Sequence, residues 1–158
     1  MVIEVEEGII RLANALDTEG MIGLTRLFVH DIRIGRDSVN RELLPWLTDI
    51  DRGWTGVLFL GMGGSAAGGD FISALSDHDG SIPIRCNRGY DLPNWWTPDW
   101  LIMATSYSGN TEETLSACQQ AIEQDATIIV ISSGGELAGM CELSETVHLI
   151  SCPSGQPP

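Results

Sequence analysis

Four hydroxyl side chains stand in two short glycine-bearing stretches. Ser65 closes Gly61-Met62-Gly63-Gly64-Ser65, and Ser106, Ser108 and Thr111 share Ser106-Tyr107-Ser108-Gly109-Asn110-Thr111. Each stretch follows an apolar run, 57–60 or 101–105, and each leads into residues at helical spacing. Strand, glycine turn and helix start is the arrangement that presents backbone N–H groups to an anion. Gly61, Gly63 and Gly64 permit close backbone approach to a ligand. Ser65 is expected at the N-cap of the first helix, with its hydroxyl free for the helix or for the anion. In the second stretch Asn110 is the expected N-cap, and Glu113 three residues later completes a capping box. Either loop alone could do no more than cap a helix, and Gly61-x-Gly63-x-x-Ala66 also fits a dinucleotide fingerprint.

The charge balance narrows the choice. The chain has 158 residues, a net charge of −14 and only eight basic residues, all of them arginine. No nucleic-acid partner is expected, because such binding rests on Lys and Arg meeting phosphates. Any phosphate site must then be local, built from dipoles and hydroxyls. No run reaches the ~18 apolar residues of a membrane span. The N-terminus, Met1-Val2-Ile3-Glu4-Val5-Glu6-Glu7, is acidic where an export signal would be basic, so a cytoplasmic location is expected. Cys86, Cys118, Cys141 and Cys152 lack C-x-x-C spacing and read as reduced thiols. His30, His78 and His148 are equally scattered, and no metal site is expected from these residues.

The elements that would position the two loops follow from periodicity. Residues 1–52 read as packing helices: one segment around Ile9 to Leu16, a break over 17–23, a second face at Leu24, Leu27, Phe28 and Ile32, and a third segment from Asp37 disturbed by Pro45. From Trp54 the pattern alternates strand and helix: strands at 57–60, 82–86, 101–105, 127–131 and 146–150, and helices ending near 76, over 112–124 and over 136–141. His78 reads as a solvated turn residue. The Pro- and Trp-rich stretch 92–100 reads as an ordered loop whose aromatics cover a sheet edge or a subunit contact. Alternation of this kind predicts an α/β fold with a doubly wound, five-stranded parallel sheet, preceded by N-terminal helices. The order 2-1-3-4-5 would bring the ends of strands one and three together, at the switch point where such sheets bind ligands.

Two hydroxyl loops at that point offer Ser65, Ser106, Ser108 and Thr111 and the N–H groups of two helix starts. Hydrogen bonds to a charged group contribute about 1.5–3 kcal/mol each, so four or five can hold a phosphate monoester without a lysine. The dinucleotide alternative finds Cys86-Asn87-Arg88 where an acidic ribose contact is wanted. Arg88 would suit a 2′-phosphate, but the second hydroxyl loop has no part in that scheme.

Taken together, the two loops resemble the sugar isomerase (SIS) domain. More narrowly, they resemble the bifunctional phosphoglucose/phosphomannose isomerases. Arg88-Gly89-Tyr90-Asp91-Leu92-Pro93, Ser132-Ser133-Gly134-Gly135 and Pro153-x-Gly155-x-x-Pro158 match comparable elements of that family. The resemblance spans residues 53–158 as one SIS domain, with 1–52 as a helical segment before it. It implies a sugar 6-phosphate as partner, held by Gly63, Gly64, Ser65, Ser106, Ser108, Asn110 and Thr111. It also implies isomerisation of glucose 6-phosphate or mannose 6-phosphate to fructose 6-phosphate through a cis-enediolate, with no metal or organic cofactor. A homodimer is implied too, since SIS domains commonly pair. The family's base and histidine belong to a second SIS domain, and its arginine would come next after Pro158. Glu112 and Glu113 are weak substitutes for the base, because first-turn carboxylates already serve the helix dipole. The expectation is therefore a phosphate-binding half, incomplete as a catalyst alone. A stand-alone regulatory module that senses phosphosugars is the alternative.

Overall fold

A computed structural model describes residues 2–18, 20–49, 53–80, 82–142 and 144–153. Gly155 and Pro158 of the Pro-x-Gly-x-x-Pro turn lie outside the described residues. The chain divides into two compact units, Met1–Arg41 and Glu42–Gln156.

The first unit carries α1 (Val2–Leu16) and most of α2 (Met21–Asp49). The two segments expected after the break form this single long helix, and the break shrinks to a short turn. Asp17 explains the restart: its carboxylate accepts from the N–H groups of Met21 and Ile22 at 2.6 and 2.9 Å, which satisfies two orphan donors of α2. Pro45 lies inside α2 close to its C-terminal end, where the helix continues for only four more residues. The expectation that these helices pack their apolar faces is not met. Ile9, Leu12, Leu16, Phe28, Val29 and Ile32 are all more than half exposed.

The second unit is the αβ sheet: β1 (Gly56–Leu60), α3 (Gly63–Asp79), β2 (Ile84–Asn87), β3 (Trp100–Thr105), α4 (Glu112–Ile122), β4 (Ile128–Ser132), α5 (Gly135–Met140) and β5 (Val147–Ser151). Its order is β2-β1-β3-β4-β5, with every neighbouring pair parallel. The expected order is thus the observed one. Near-continuous apolar strands suit a sheet covered on both faces. Leu58, Leu60, Ile102, Ala104, Ile128 and Val130 are buried against Ala117, Cys118 and Ala121 of α4.

Element ends differ by a few residues for local reasons. Pro83 has no N–H for a ladder, so β2 begins at Ile84, although the Pro83 carbonyl accepts from Val57 N–H at 2.9 Å. Helix α4 stops at Ile122 because Asp125 turns left-handed (φ 57°) and Ala126 N–H returns to the Ala121 carbonyl at 3.1 Å. Trp100 opens β3 rather than closing the preceding loop, and Trp96 is core at 7% exposure. That loop is latched to α4: the Gln120 amide donates to the Tyr90 carbonyl at 2.9 Å and accepts from Leu92 N–H at 3.2 Å. Among the described residues no helix is long and apolar enough to cross a membrane.

Candidate functional site

Strands β1 and β3 pair in register, Leu60 opposite Ala104, so the loops leaving them stand side by side. From β1 the chain crosses to β2 on one side, whereas β3 lies on the other, which makes this the switch point of the sheet. Contact is close. A Cβ on Gly61 would stand 2.9 Å from the Thr105 carbonyl oxygen, so glycine is required where the first loop crosses the second.

The first loop enters α3 through Met62, which is extended (φ −117°, ψ 154°), and then Gly63 at φ +49°. The helix begins at Gly63, two residues before the expected cap. Ser65 is therefore inside the first turn, with its N–H on the Met62 carbonyl at 3.0 Å. Its hydroxyl caps nothing and makes no hydrogen bond to a described residue. Open space lies where side chains would stand on Gly63 and Gly64. A helix N-terminus with free N–H groups and a free hydroxyl suits an anion.

In the second loop Ser106 is the hub. It is 2% exposed, and its Oγ shares a 2.8 Å hydrogen bond with Thr111 Oγ1 and accepts from Gly109 N–H at 3.2 Å. Ser108 and Asn110 are exposed, and Ser108 Oγ accepts from Asn110 N–H at 3.2 Å. The expected capping box does not form. Thr111 is the N-cap of α4, without a side-chain cap bond, and Asn110 Oδ1 instead accepts from Glu136 N–H at 3.0 Å. Asn110 thus caps α5, because the loop after β4 lies within reach while α4 turns away.

That third loop, 132–136, acts as the scaffold of the second. Ser133 donates to the Tyr107 carbonyl through both Oγ (2.6 Å) and N–H (3.1 Å). Leu137 N–H reaches the Gly109 carbonyl at 2.9 Å, and Tyr107 Oη donates to the Pro153 carbonyl at 3.3 Å. All seven residues expected to bind a phosphosugar lie in the two loops that leave β1 and β3; among them Ser106 is buried, and Asn110 spends its carbonyl on the scaffold.

The end of β2 forms the other side. Arg88 ion-pairs with Asp70 of α3, and this contact holds the Asp70 carboxyl below its ordinary range. Arg88 is thus paired with a carboxylate of its own fold at a half-exposed position. Cys86, next to it, is pushed up to about 11 by burial, with the Asp70 carboxylate adding to the effect, so it is no thiolate nucleophile. Tyr90 Oη donates to Glu112 Oε2 at 3.2 Å, which raises the Tyr90 hydroxyl and occupies one candidate base. Between these groups and α4 runs a narrow crevice bordered by Gly61, Met62, Asn87, Arg88, Glu113 and Thr114.

Thr114 and the loop 132–136 escaped sequence reading. A threonine in a helix pattern carries no mark of burial, and the spacing of Ser132-Ser133-Gly134-Gly135 does not show which loop it braces. The histidines stand elsewhere: His78 is exposed beside Asp79 (Nδ1 to Oδ1, 2.6 Å), and His148 stacks on Trp46 at 4.8 Å. Among the described residues no cluster of His, Cys, Asp and Glu could hold a metal ion.

No family model matches the chain. Over 110 residues it is 43% identical to a protein of Caldicellulosiruptor bescii named bifunctional phosphoglucose/phosphomannose isomerase, covering 70% of this chain and 31% of that one. An Aquifex aeolicus protein of the same name is 36% identical over 123 residues, 77% of this chain and 36% of its own. The chain thus spans about a third of the length of the curated relatives it matches. Among solved structures, tagatose-6-phosphate ketose/aldose isomerase from Escherichia coli superposes with a TM-score of 0.61 at 22% identity, over 75% of this chain and 35% of that one. That likeness is one of fold, the SIS arrangement. On kinship and sheet together, the chain belongs to the family of the bifunctional phosphoglucose/phosphomannose isomerases.

Proposed function

We propose that the loops after β1 and β3 form the phosphate cradle for a sugar 6-phosphate. Ser65, Ser106, Ser108 and Thr111 supply hydroxyls, and Gly63, Gly64 and the first turns of α3 and α4 supply N–H groups. Asn110 keeps its amide N–H₂ for the ligand while its carbonyl oxygen stays on α5. One observation carries the reading: two loops bearing hydroxyls and free helix N-termini meet at a single switch point. The kinship supports glucose 6-phosphate and mannose 6-phosphate as substrates and fructose 6-phosphate as product. Shifting the C2 proton needs a base, a group to open the ring and a cation for the enediolate, and general base catalysis alone contributes 10²–10⁴-fold. Neither described histidine of the αβ unit lies at the cradle, Glu112 is engaged by Tyr90, and Arg88 is engaged by Asp70. The αβ unit is then a binding half whose chemistry is completed by groups from elsewhere.

The test is titration of the chain with glucose 6-phosphate and with 6-phosphogluconate, followed by amide NMR. Shifts concentrated in residues 61–66 and 106–114 are expected at millimolar ligand, without formation of fructose 6-phosphate in a coupled assay. Silence of those amides would sink the cradle, and turnover by this chain alone would sink the claim of incompleteness.

The chain is also read as a soluble, cytoplasmic homodimer. Pairing is supported by the exposed apolar side chains on α1 and α2, a larger apolar surface than single scattered residues. Sedimentation equilibrium should return twice the monomer mass. A monomer across the micromolar range would contradict the reading.

A further inference from the structure

We infer that Tyr90 is a positioning residue for the anion: its hydroxyl holds the Glu112 carboxylate aside, so that the N–H groups opening α4 stay available to a phosphate. This rests on the phosphate cradle proposed above and adds no ligand contact to it.

The starting observation is a conflict at the start of α4. The helix opens on two carboxylates, Glu112 and Glu113, directly after Thr111. A first-turn carboxylate is drawn to the same free N–H groups and the same positive dipole end that a bound anion uses. Thr111 makes no side-chain cap bond, so those N–H groups are open to whichever charge arrives. Glu112 left to itself would compete with a phosphate for them, and would repel it as a like charge once it had bound. An anion site at this helix end therefore needs its own carboxylate kept off it.

Tyr90 meets that need. Its Oη donates to Glu112 Oε2 at 3.2 Å, and Glu112 is exposed, so the bond fixes a side chain that solvent alone would leave to sweep the helix end. The bond to Glu112, with the Glu113 charge nearby, raises the Tyr90 hydroxyl above its ordinary range, and the donor keeps its proton. Tyr90 is itself anchored on the same helix. The Gln120 amide donates to the Tyr90 carbonyl at 2.9 Å and accepts from Leu92 N–H at 3.2 Å. On the strand side, Asn87 Nδ2 donates to the Asp91 carbonyl at 3.0 Å. Glu112 and Gln120 are two turns apart on α4, about 12 Å. The loop backbone is thus tied low on the helix, and the stiff phenol reaches back to its first turn. Tyrosine suits this task because its ring has few rotamers and its end is a hydrogen-bond donor without charge. A lysine or arginine there would hold the carboxylate equally well, but would also offer the anion a rival cation.

Tyr90→Phe keeps the ring and removes only the donor. Binding of inorganic phosphate to the full chain would be followed by amide NMR at low salt for four proteins: the parent, Tyr90→Phe, Glu112→Gln and the double variant. Tyr90→Phe is expected to weaken the phosphate Kd about threefold, the size of one released carboxylate at a helix N-terminus. Glu112→Gln should bind at least as tightly as the parent. The double variant should match Glu112→Gln within about 1.5-fold, because the tyrosine has no charge left to restrain. Glu113 is present in all four and cancels from the comparison. The bond joins two exposed side chains, so melting temperatures should agree within about 2 °C. Rescue by neutralising Glu112 is the signature that a merely structural tyrosine would not give. An unchanged Kd in Tyr90→Phe, or a loss that persists in the double variant, would overturn the role of Tyr90 and leave the cradle standing. If the parent binds no phosphate at residues 61–66 and 106–114, the cradle falls and this role with it.

Discussion

Gly109→Ala should lower the melting temperature by roughly 10 °C and remove phosphosugar binding with it. Gly109 sits at φ +69°, a region that costs a residue with a side chain about 1–3 kcal/mol. Its surroundings add to that cost. A Cβ here would overlap the Gly134 carbonyl oxygen and stand 2.9 Å from Ser132 Oγ. The first of these is backbone that cannot swing aside, so one of two packed loops has to move. Any shift strains what Gly109 anchors: its N–H on Ser106, its carbonyl under Leu137 N–H, and through Ser106 the 2.8 Å contact with Thr111. A total near 3 kcal/mol is large but within the range for a strained, displaced backbone position. Gly68→Ala is the matched control, because it is a helical glycine of α3 with open space at its Cβ and no left-handed φ. It should hold or gain about 0.5–1 kcal/mol. Thermal melts by circular dichroism decide the matter, and a Gly109→Ala protein melting within about 2 °C of the parent would disprove the scaffold role of loop 132–136.

That scaffold marks where sequence reading ran out. The sheet order was legible because strands alternate with helices, and right-handed crossovers leave few ways to lay five parallel strands. The two hydroxyl loops were legible because glycines and hydroxyls cluster at strand ends. What a given side chain bonds to was not. Asn110 fits a capping box by spacing, yet its acceptor goes to Glu136, 26 residues away, because β4 lies beside β3. Ser65 has the chemistry of a cap, but Gly63 starts the helix earlier by turning at φ +49°. Along α2 a separate third segment was expected to open at Asp37 and to be disturbed by Pro45, whereas one 29-residue helix runs through both positions. Thr114 is the clearest case. Its residue type is neutral toward burial, and only the packing of α4 on the sheet shows a hydroxyl sealed without a partner.

Ser65→Ala combined with Thr111→Ala should weaken binding of a sugar 6-phosphate by more than tenfold while the fold survives. The two hydroxyls have different standing in the free protein, and that difference makes the result interpretable. Ser65 Oγ bonds to no described residue, so its removal takes nothing from the fold and acts only on a ligand. Thr111 Oγ1 bonds to Ser106 Oγ, but Ser106 retains the Gly109 N–H when Thr111 is truncated. Each hydroxyl given to a phosphate oxygen contributes about 1.5–3 kcal/mol, and 1.4 kcal/mol is a factor of ten. Simple addition would exceed a hundredfold. The sum will fall short of that, because both groups meet the same phosphate and a loosened anion can shift toward Ser108 and the helix N–H groups. The single variants carry the discrimination. Ser65→Ala should weaken binding at an unchanged melting temperature, whereas Thr111→Ala should weaken binding with a drop of a few degrees at most, about 1 kcal/mol for one half-buried hydrogen bond. If Ser65→Ala leaves the affinity for glucose 6-phosphate untouched, the first loop is only a helix start. The cradle would then shrink to the loop after β3.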